Sequence, residues 1–245
     1  MTERRRSSRL AACAVMACRG LPGVKLIKTP QLPSFVGGKR MLVIGITGGI
    51  ASGKSLVAQE LGRRGAAGLD ADRIGHAVLR RSDVKAALHA RWGDSVFVNR
   101  AGSDVGEVDR AAVAARVFAP PPDGPRELAY LESLIHPLIE ANVVACLERW
   151  REEGRVPAAV LDAPVLYKAG WERHCDRILF VDAPLKVRES RAAARGWSRE
   201  QFRARERHQV ALALQRERAD VVVDNGGAMA TTIRQTDAFW DKLFE

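Results

Sequence analysis

The stretch Gly48-Gly49-Ile50-Ala51-Ser52-Gly53-Lys54-Ser55 matches G-x-x-x-x-G-K-[ST] at every defined position. Before it, Met41-Leu42-Val43-Ile44-Gly45-Ile46 is a short apolar run suited to a buried parallel strand. After it, Leu56-Val57-Ala58-Gln59-Glu60-Leu61 carries apolar residues about one helical turn apart. Strand, glycine loop and helix are the setting this motif needs. Backbone N–H groups of the loop and of the helix start can point at a polyphosphate, and the helix dipole adds positive potential. Lys54 is expected to reach the β- and γ-phosphates, and the Ser55 hydroxyl to ligate Mg²⁺. A glycine-rich turn without nucleotide is the bland alternative, and the flanking strand and helix weigh against it.

Working outward, five short apolar runs read as buried strands, at about residues 42–47, 66–70, 157–162, 178–182 and 220–223. Helical patterns separate them, as in an α/β fold with a parallel sheet covered on both faces. The segment Asp109 to Trp150 is helical in character, broken at Pro120-Pro121-Pro122 and kinked or divided at Pro137. Ser198 to Arg218 reads as one long charged helix, opened by a capping box of Ser198 and Gln201. Its arginine-rich part, Arg199 to Arg207, is either a solvated face or a mobile lid.

Ligands in such sheets collect at the carboxyl ends of the strands. Strand two ends at Asp70-Ala71-Asp72 and strand three at Asp162, the form of a Walker B segment. Asp162 suits Mg²⁺; its alternative is a turn cap. Asp70 and Asp72 suit an acceptor hydroxyl whose proton must be taken or oriented. Asp72 could instead be the N-cap of a helix through Arg73–Leu79. Arg188, Arg191 and Arg195 follow the fourth strand at spacings of three and four, on adjacent parts of one helical surface. Arg191 and Arg195 are candidates to neutralise triphosphate charge.

The chain has 245 residues and a formal net charge of +10. Nine Lys or Arg against the single acid Glu3 give residues 1–40 a charge of +8, which leaves +2 for the rest. A nearly neutral body argues against a nucleic-acid-binding NTPase, which wants a concentrated basic face. Residues 1–40 are expected to be a disordered, dispensable extension, with Met41 as an alternative start. No segment approaches the roughly 18 apolar residues of a membrane span. Cys13, Cys18, Cys146 and Cys175 have no zinc or CxxC spacing, so reduced thiols in a cytoplasmic protein are expected. His76, His89, His174 and His208 make no metal-spaced cluster.

Residues 41–245 resemble the dephospho-CoA kinases. The resemblance rests on Ile46-Thr47 with the glycine loop, Leu69-Asp70-Ala71-Asp72, Val108-Asp109-Arg110 with Val117-Phe118, and Leu131-Glu132 with Ile135-His136-Pro137. It continues through Asp162-Ala163-Pro164-Val165-Leu166-Tyr167, Arg191 with Arg195, Gln209, and Val223-Asp224-Asn225-Gly226. It implies a P-loop kinase with a five-stranded parallel sheet flanked by helices, a helical acceptor-binding region at about 72–152 and a lid at about 186–218. The implied reaction is ATP-dependent phosphorylation of the ribose 3′-hydroxyl of dephospho-CoA, with Mg²⁺, in the cytoplasm. The alternative is a related nucleoside or nucleotide kinase.

By that match, Gly48, Gly49, Ile50 and Ala51 to Leu56 enclose the ATP phosphates, and Asp72 lies by the acceptor hydroxyl as base. Arg191 belongs to the lid, Asn225 and Gly226 lie near the adenine, and Arg110, His136 and Pro137 serve the acceptor. Three residues depart from the family's pattern. Leu56 stands where Thr is usual, Lys168 where Glu is usual, and Gln215 where Lys is common, with Arg216 beside it as a substitute.

Overall fold

Val43, Ile44 and Ile46 have no solvent exposure, as a strand flanked on both edges and covered on both faces requires. They belong to a computed structural model that describes residues 40–98, 106–207 and 210–245. The basic extension up to Lys39, with Cys13 and Cys18, and also His208 and Gln209, lies outside the described residues.

The chain begins with β1 (Leu42–Gly48), α1 (Lys54–Arg63), β2 (Ala67–Asp70), α2 (Ala71–Val78) and α3 (Ser82–Trp92). A short antiparallel pair follows, β3 (Phe97–Val98) and β4 (Glu107–Val108), then α4 (Arg110–Val117) and α5 (Asp123–Glu153). The remainder is β5 (Ala158–Asp162), β6 (Arg177–Asp182), α6 (Leu185–Ala193), α7 (Arg199–Arg207), α8 (Leu212–Glu217), β7 (Val221–Asp224) and α9 (Met229–Phe244). The described chain forms two compact units, residues 72–145 in one and residues 40–71 with 146–245 in the other.

The larger unit carries a five-stranded sheet in the order β2-β5-β1-β6-β7. Every adjacent pair is parallel, with β1 at the centre. Ile44, Ile46, Val160, Leu179 and Val181 from the strands pack with Val57 and Leu61 of α1 and with Phe239 and Trp240 of α9. Each such aliphatic side chain contributes about 1.5–3 kcal/mol by leaving water. All five expected strands are present, with ends shifted by a residue at most.

The smaller unit is helical apart from its two-residue strand pair, which the sequence reading did not anticipate. Glu127 of α5 fastens it to α3: Arg91 donates to both carboxylate oxygens at 3.1 and 2.8 Å, and Trp92 Nε1 donates at 2.6 Å. Those bonds hold the Glu127 carboxyl below the usual range. Tyr130 O–H donates to the Ala87 carbonyl at 3.0 Å.

Three expectations need correction. Pro137 does not divide its helix, since α5 runs unbroken over 31 residues. Proline there removes one N–H, a loss that the long apolar stretch around it tolerates. The segment Ser198 to Arg218 is two helices, α7 and α8. Its capping box is real: Ser198 N–H donates to Gln201 Oε1 at 3.0 Å and Gln201 N–H to Ser198 Oγ at 3.2 Å. Asp72 is not an N-cap, because α2 already includes Ala71 and Asp72 falls in its first turn. No described helix is long and apolar enough to cross a membrane.

Candidate active site

The glycine loop leaves β1 at Gly48 and enters α1 at Lys54. Its backbone needs the left-handed region at Ala51, with φ of 58°, and at Gly53, with φ of 98°. Ala51 is the only non-glycine residue with positive φ among the described residues. Strain held at a ligand-binding turn is a recurrent feature of such sites. Gly53 is the N-cap of α1 and gives no side-chain cap, so the amide end of that helix faces the loop's own concavity.

Lys54 Nζ donates to the carbonyls of Gly48 at 3.0 Å and Gly49 at 3.2 Å, which holds the ammonium across the loop. From the far side, Arg191 of α6 donates through Nη1 to the Ser52 carbonyl at 3.2 Å and through Nη2 to the Asn225 carbonyl at 2.9 Å. Asn225 Nδ2 donates to the same Ser52 carbonyl at 2.6 Å. Gly226 N–H donates to Asp224 Oδ1 at 2.7 Å. Lys54, Arg191 and Asn225 therefore gather on one loop, with Gly226 next in the chain to Asn225 and two fixed cations beside an anion-binding helix end.

Asp162 ends the strand next to β1, and Asp70 ends the strand beyond it. Asp70 at the end of β2 is the register partner of Asp162 at the end of β5, and Asp162 is in turn the partner of Ile46 in β1. Neighbouring strands lie about 4.8 Å apart, so Asp162 ends about one spacing and Asp70 about two spacings from β1, at the sheet edge from which the loop leaves. Ser55 and Asp162 are hard oxygen donors of the kind Mg²⁺ takes. That ion is usually held by one or two carboxylates, with substrate phosphates and water completing its shell. No cluster of three His, Cys, Asp or Glu side chains fit to hold a metal occurs among the described residues. The donor set fits an ion brought in by a nucleotide.

The family model for dephospho-CoA kinase matches residues 42–231, from the first strand of this sheet into its last helix. The chain belongs to the dephospho-CoA kinase family. A dephospho-CoA kinase of Symbiobacterium thermophilum is 39% identical over 202 residues, covering 82% of this chain and 80% of that one. The dephospho-CoA kinase of Deinococcus radiodurans is 37% identical over 196 residues, covering 80% of this chain and 89% of its own. The crystal structure of TT1252 from Thermus thermophilus superposes with a TM-score of 0.68 at 34% identity, covering 84% of this chain and 99% of that one. A dephospho-CoA kinase from Campylobacter jejuni shares the fold at 18% identity and a TM-score of 0.54.

Gly48 to Leu56, Asp70, Asp162, Arg191, Asn225 and Gly226 all lie in the larger unit. Arg195 is exposed, two residues beyond the end of the helix at Ala193, and its N–H donates to the Ala192 carbonyl at 3.0 Å. Arg216 forms an exposed pair with Asp182, the last residue of β6, at 2.9 Å, while Gln215 is buried and bonded to Thr47 just before the loop.

The other candidates lie in the smaller unit. Asp72 is exposed in the first turn of α2, and His76 follows one turn later on the same face. Arg110, at the start of α4, reaches His76 Nε2 at 2.9 Å. His136, half-buried, and Pro137, exposed, lie mid-way along α5. Sequence reasoning passed over His76, although its i+4 spacing from Asp72 was visible. It also left Arg188 undistinguished from its exposed neighbours, because burial of one arginine on a charged helix has no sequence signal.

Proposed function

We propose that the protein transfers the γ-phosphoryl group of ATP to the ribose 3′-hydroxyl of dephospho-CoA, giving coenzyme A and ADP in the cytoplasm. The observation that carries this reading is the glycine loop closed from both sides, by Lys54 and by Arg191 with Asn225, next to the paired strand-end residues Asp70 and Asp162. The loop amides and Lys54 hold the triphosphate, and Arg191 neutralises charge on the transferring group. Ser55 and Asp162 would hold Mg²⁺, which would supply positive charge to neutralise the phosphates. Asp72 takes the proton of the attacking hydroxyl, with Asp70 beside it in the chain as an orienting carboxylate. Arg110, His136 and Pro137 serve the acceptor, and the Asn225-Gly226 turn serves the adenine of ATP. Catalysis then rests on positioning and charge neutralisation, since phosphoryl transfer asks little covalent chemistry of the protein.

The test is a coupled ADP-release assay on the purified protein with dephospho-CoA and a panel of nucleosides and nucleoside monophosphates. Turnover with dephospho-CoA is expected to dominate. Strong release with a nucleoside monophosphate and none with dephospho-CoA would replace this reading by a nucleotide kinase.

A further inference from the structure

Arg188 is buried, with 7% of its side chain exposed, although it sits on the same helix as the half-exposed Arg191. All its partners belong to the protein framework behind the glycine loop. Nε donates to the Ala183 carbonyl at 3.1 Å, at the exit from β6. Nη1 donates to Glu206 Oε1 of α7 at 2.5 Å. The guanidinium carbon lies 5.7 Å from the ring centre of Phe202 on the same helix. A methyl group built on Gly49 would come within 2.7 Å of that Nη1, 3.0 Å of the guanidinium carbon and 3.1 Å of Leu212 at the start of α8. The first residues of the loop thus rest on the guanidinium itself, and only glycine permits that approach. Ile50 and Ala51 continue the contact, packing with Ala192, Trp197 and Phe202.

From this we infer that Arg188 and Glu206 form a latch that fixes where Gly49-Ile50 stands, so that Arg188 positions the glycine loop for ATP without touching the nucleotide. The planar fork is what makes arginine suitable: two acceptors in fixed directions hold the guanidinium plane, and Gly49 leans on its edge. Swinging Arg188 out to meet a phosphate would abandon both acceptors in a buried place, so the charge stays behind the loop. The latch also explains why α7, far along the chain, bears on nucleotide binding: Glu206 reaches the loop through one side chain. The identity of the nucleotide rests on the proposed function; the latch itself rests on the geometry.

The experiment compares full-length wild-type protein with Arg188→Lys and with the double variant Arg188→Met/Glu206→Leu. Melting temperature, ATP affinity by calorimetry without acceptor, and the KM values for ATP and dephospho-CoA are measured for each. Replacing both members of a buried ion pair by apolar groups usually preserves stability, so the double variant is expected to melt within about 3 °C of wild type. Misplacing a binding group by about an ångström can cost up to about 100-fold, so ATP affinity is expected to weaken by roughly 5- to 50-fold in both variants. The KM for dephospho-CoA should stay within about two-fold of wild type, because the latch bears on the loop alone. Wild-type ATP affinity in a stable double variant overturns the inference, and so does an equal loss for both substrates that merely follows the melting temperature. If wild-type protein does not phosphorylate dephospho-CoA, calorimetry with ATP still reads the latch, and the two readings fail separately.

Discussion

Asn225 donates its side-chain amide to the carbonyl of Ser52 at 2.6 Å across 173 residues of chain. Asn225 is 3% exposed, and the Thr232 hydroxyl donates to its Oδ1 at 2.9 Å, which fixes the direction of the amide. The turn after β7 is thereby tied to the middle of the glycine loop. Arg191 bonds both partners, to the Ser52 carbonyl and to the Asn225 carbonyl, so three parts of the chain share one small hydrogen-bonded knot.

Removing the amide should be felt in stability and in binding together. Asn225→Ala leaves the Thr232 hydroxyl without one acceptor and the Ser52 carbonyl with Arg191 alone. The expected loss is about 1–3 kcal/mol, the cost of unsatisfied buried polar groups. Urea denaturation with an unchanged m-value measures it. A loss under about 0.3 kcal/mol would show that the knot contributes nothing to the folded state.

Gly53 tests the same knot by crowding. Its φ is 98°, and a methyl group there would lie 2.0 Å from Asn225 Nδ2. Gly53→Ala should therefore push Asn225 off the Ser52 carbonyl and strain the loop, at a cost of about 1–3 kcal/mol. ATP affinity, read by calorimetry, should fall by more than tenfold, roughly the effect of disturbing a preorganised site. Unchanged affinity would mean that the loop adapts freely.

Lys54→Met keeps the aliphatic stem in the first turn of α1 and removes the charge that spans Gly48 and Gly49. Turnover is expected to fall by about 10²- to 10³-fold, the size of losing one charge-stabilising donor. The circular-dichroism melt should stay near wild type. Near-normal kcat in the ADP-release assay would remove Lys54 from its assigned role.

The carboxylates should separate by what they do. Asp72→Asn removes the proposed base and should lower kcat by about 10²- to 10⁴-fold while ATP affinity holds. Asp162→Asn, on the strand beside the loop, should instead raise the Mg²⁺ concentration needed for half-maximal rate. Chelation with EDTA should abolish turnover of the wild type reversibly. Identical Mg²⁺ titrations for wild type and Asp162→Asn would exclude that aspartate from holding the ion.

Cys175 should be inert. Burial, then the carboxylates of Asp176 and Glu172, push its thiol up to about 12. At pH 8 the thiolate fraction is then on the order of one in ten thousand, and the thiolate is the reactive species. Peptide mapping after iodoacetamide should find Cys175 unmodified in the folded protein and labelled in guanidinium. The folded thiol keeps its proton where the unfolded one, near its ordinary 9.0, has lost it. The stability this group contributes is therefore whole below that value and declines as pH rises toward 12. Rapid labelling at pH 8 would contradict the burial.

The sheet and the loop were legible because their signals are local. A short, β-branched run such as Val43-Ile44-Gly45-Ile46, bounded by a glycine loop, suits a buried central strand, and that loop has few other uses. Asp70 and Asp162 were legible for a related reason: parallel strands end at one edge, so residues at strand ends gather there. Local signals failed at breaks and at burial. The end of α6 at Ala193, with Arg195 exposed beyond it, and the break between α7 and α8 depend on how that segment packs. Pro137, read as a kink or a division, sits inside an unbroken helix.

What the residues determined alone was the fold class and the phosphate-binding loop, since both follow from short-range pattern and spacing, while the family was visible as a resemblance in the order of its motifs. Tertiary structure decided the division of labour among like residues. Arg188, Arg191 and Arg195 are equivalent on paper, yet one is locked behind Gly49, one is bonded to the loop at Ser52, and one lies in solvent. The reason is physical: a guanidinium's role is set by which acceptors and how much water surround it, and distant segments of the chain supply both.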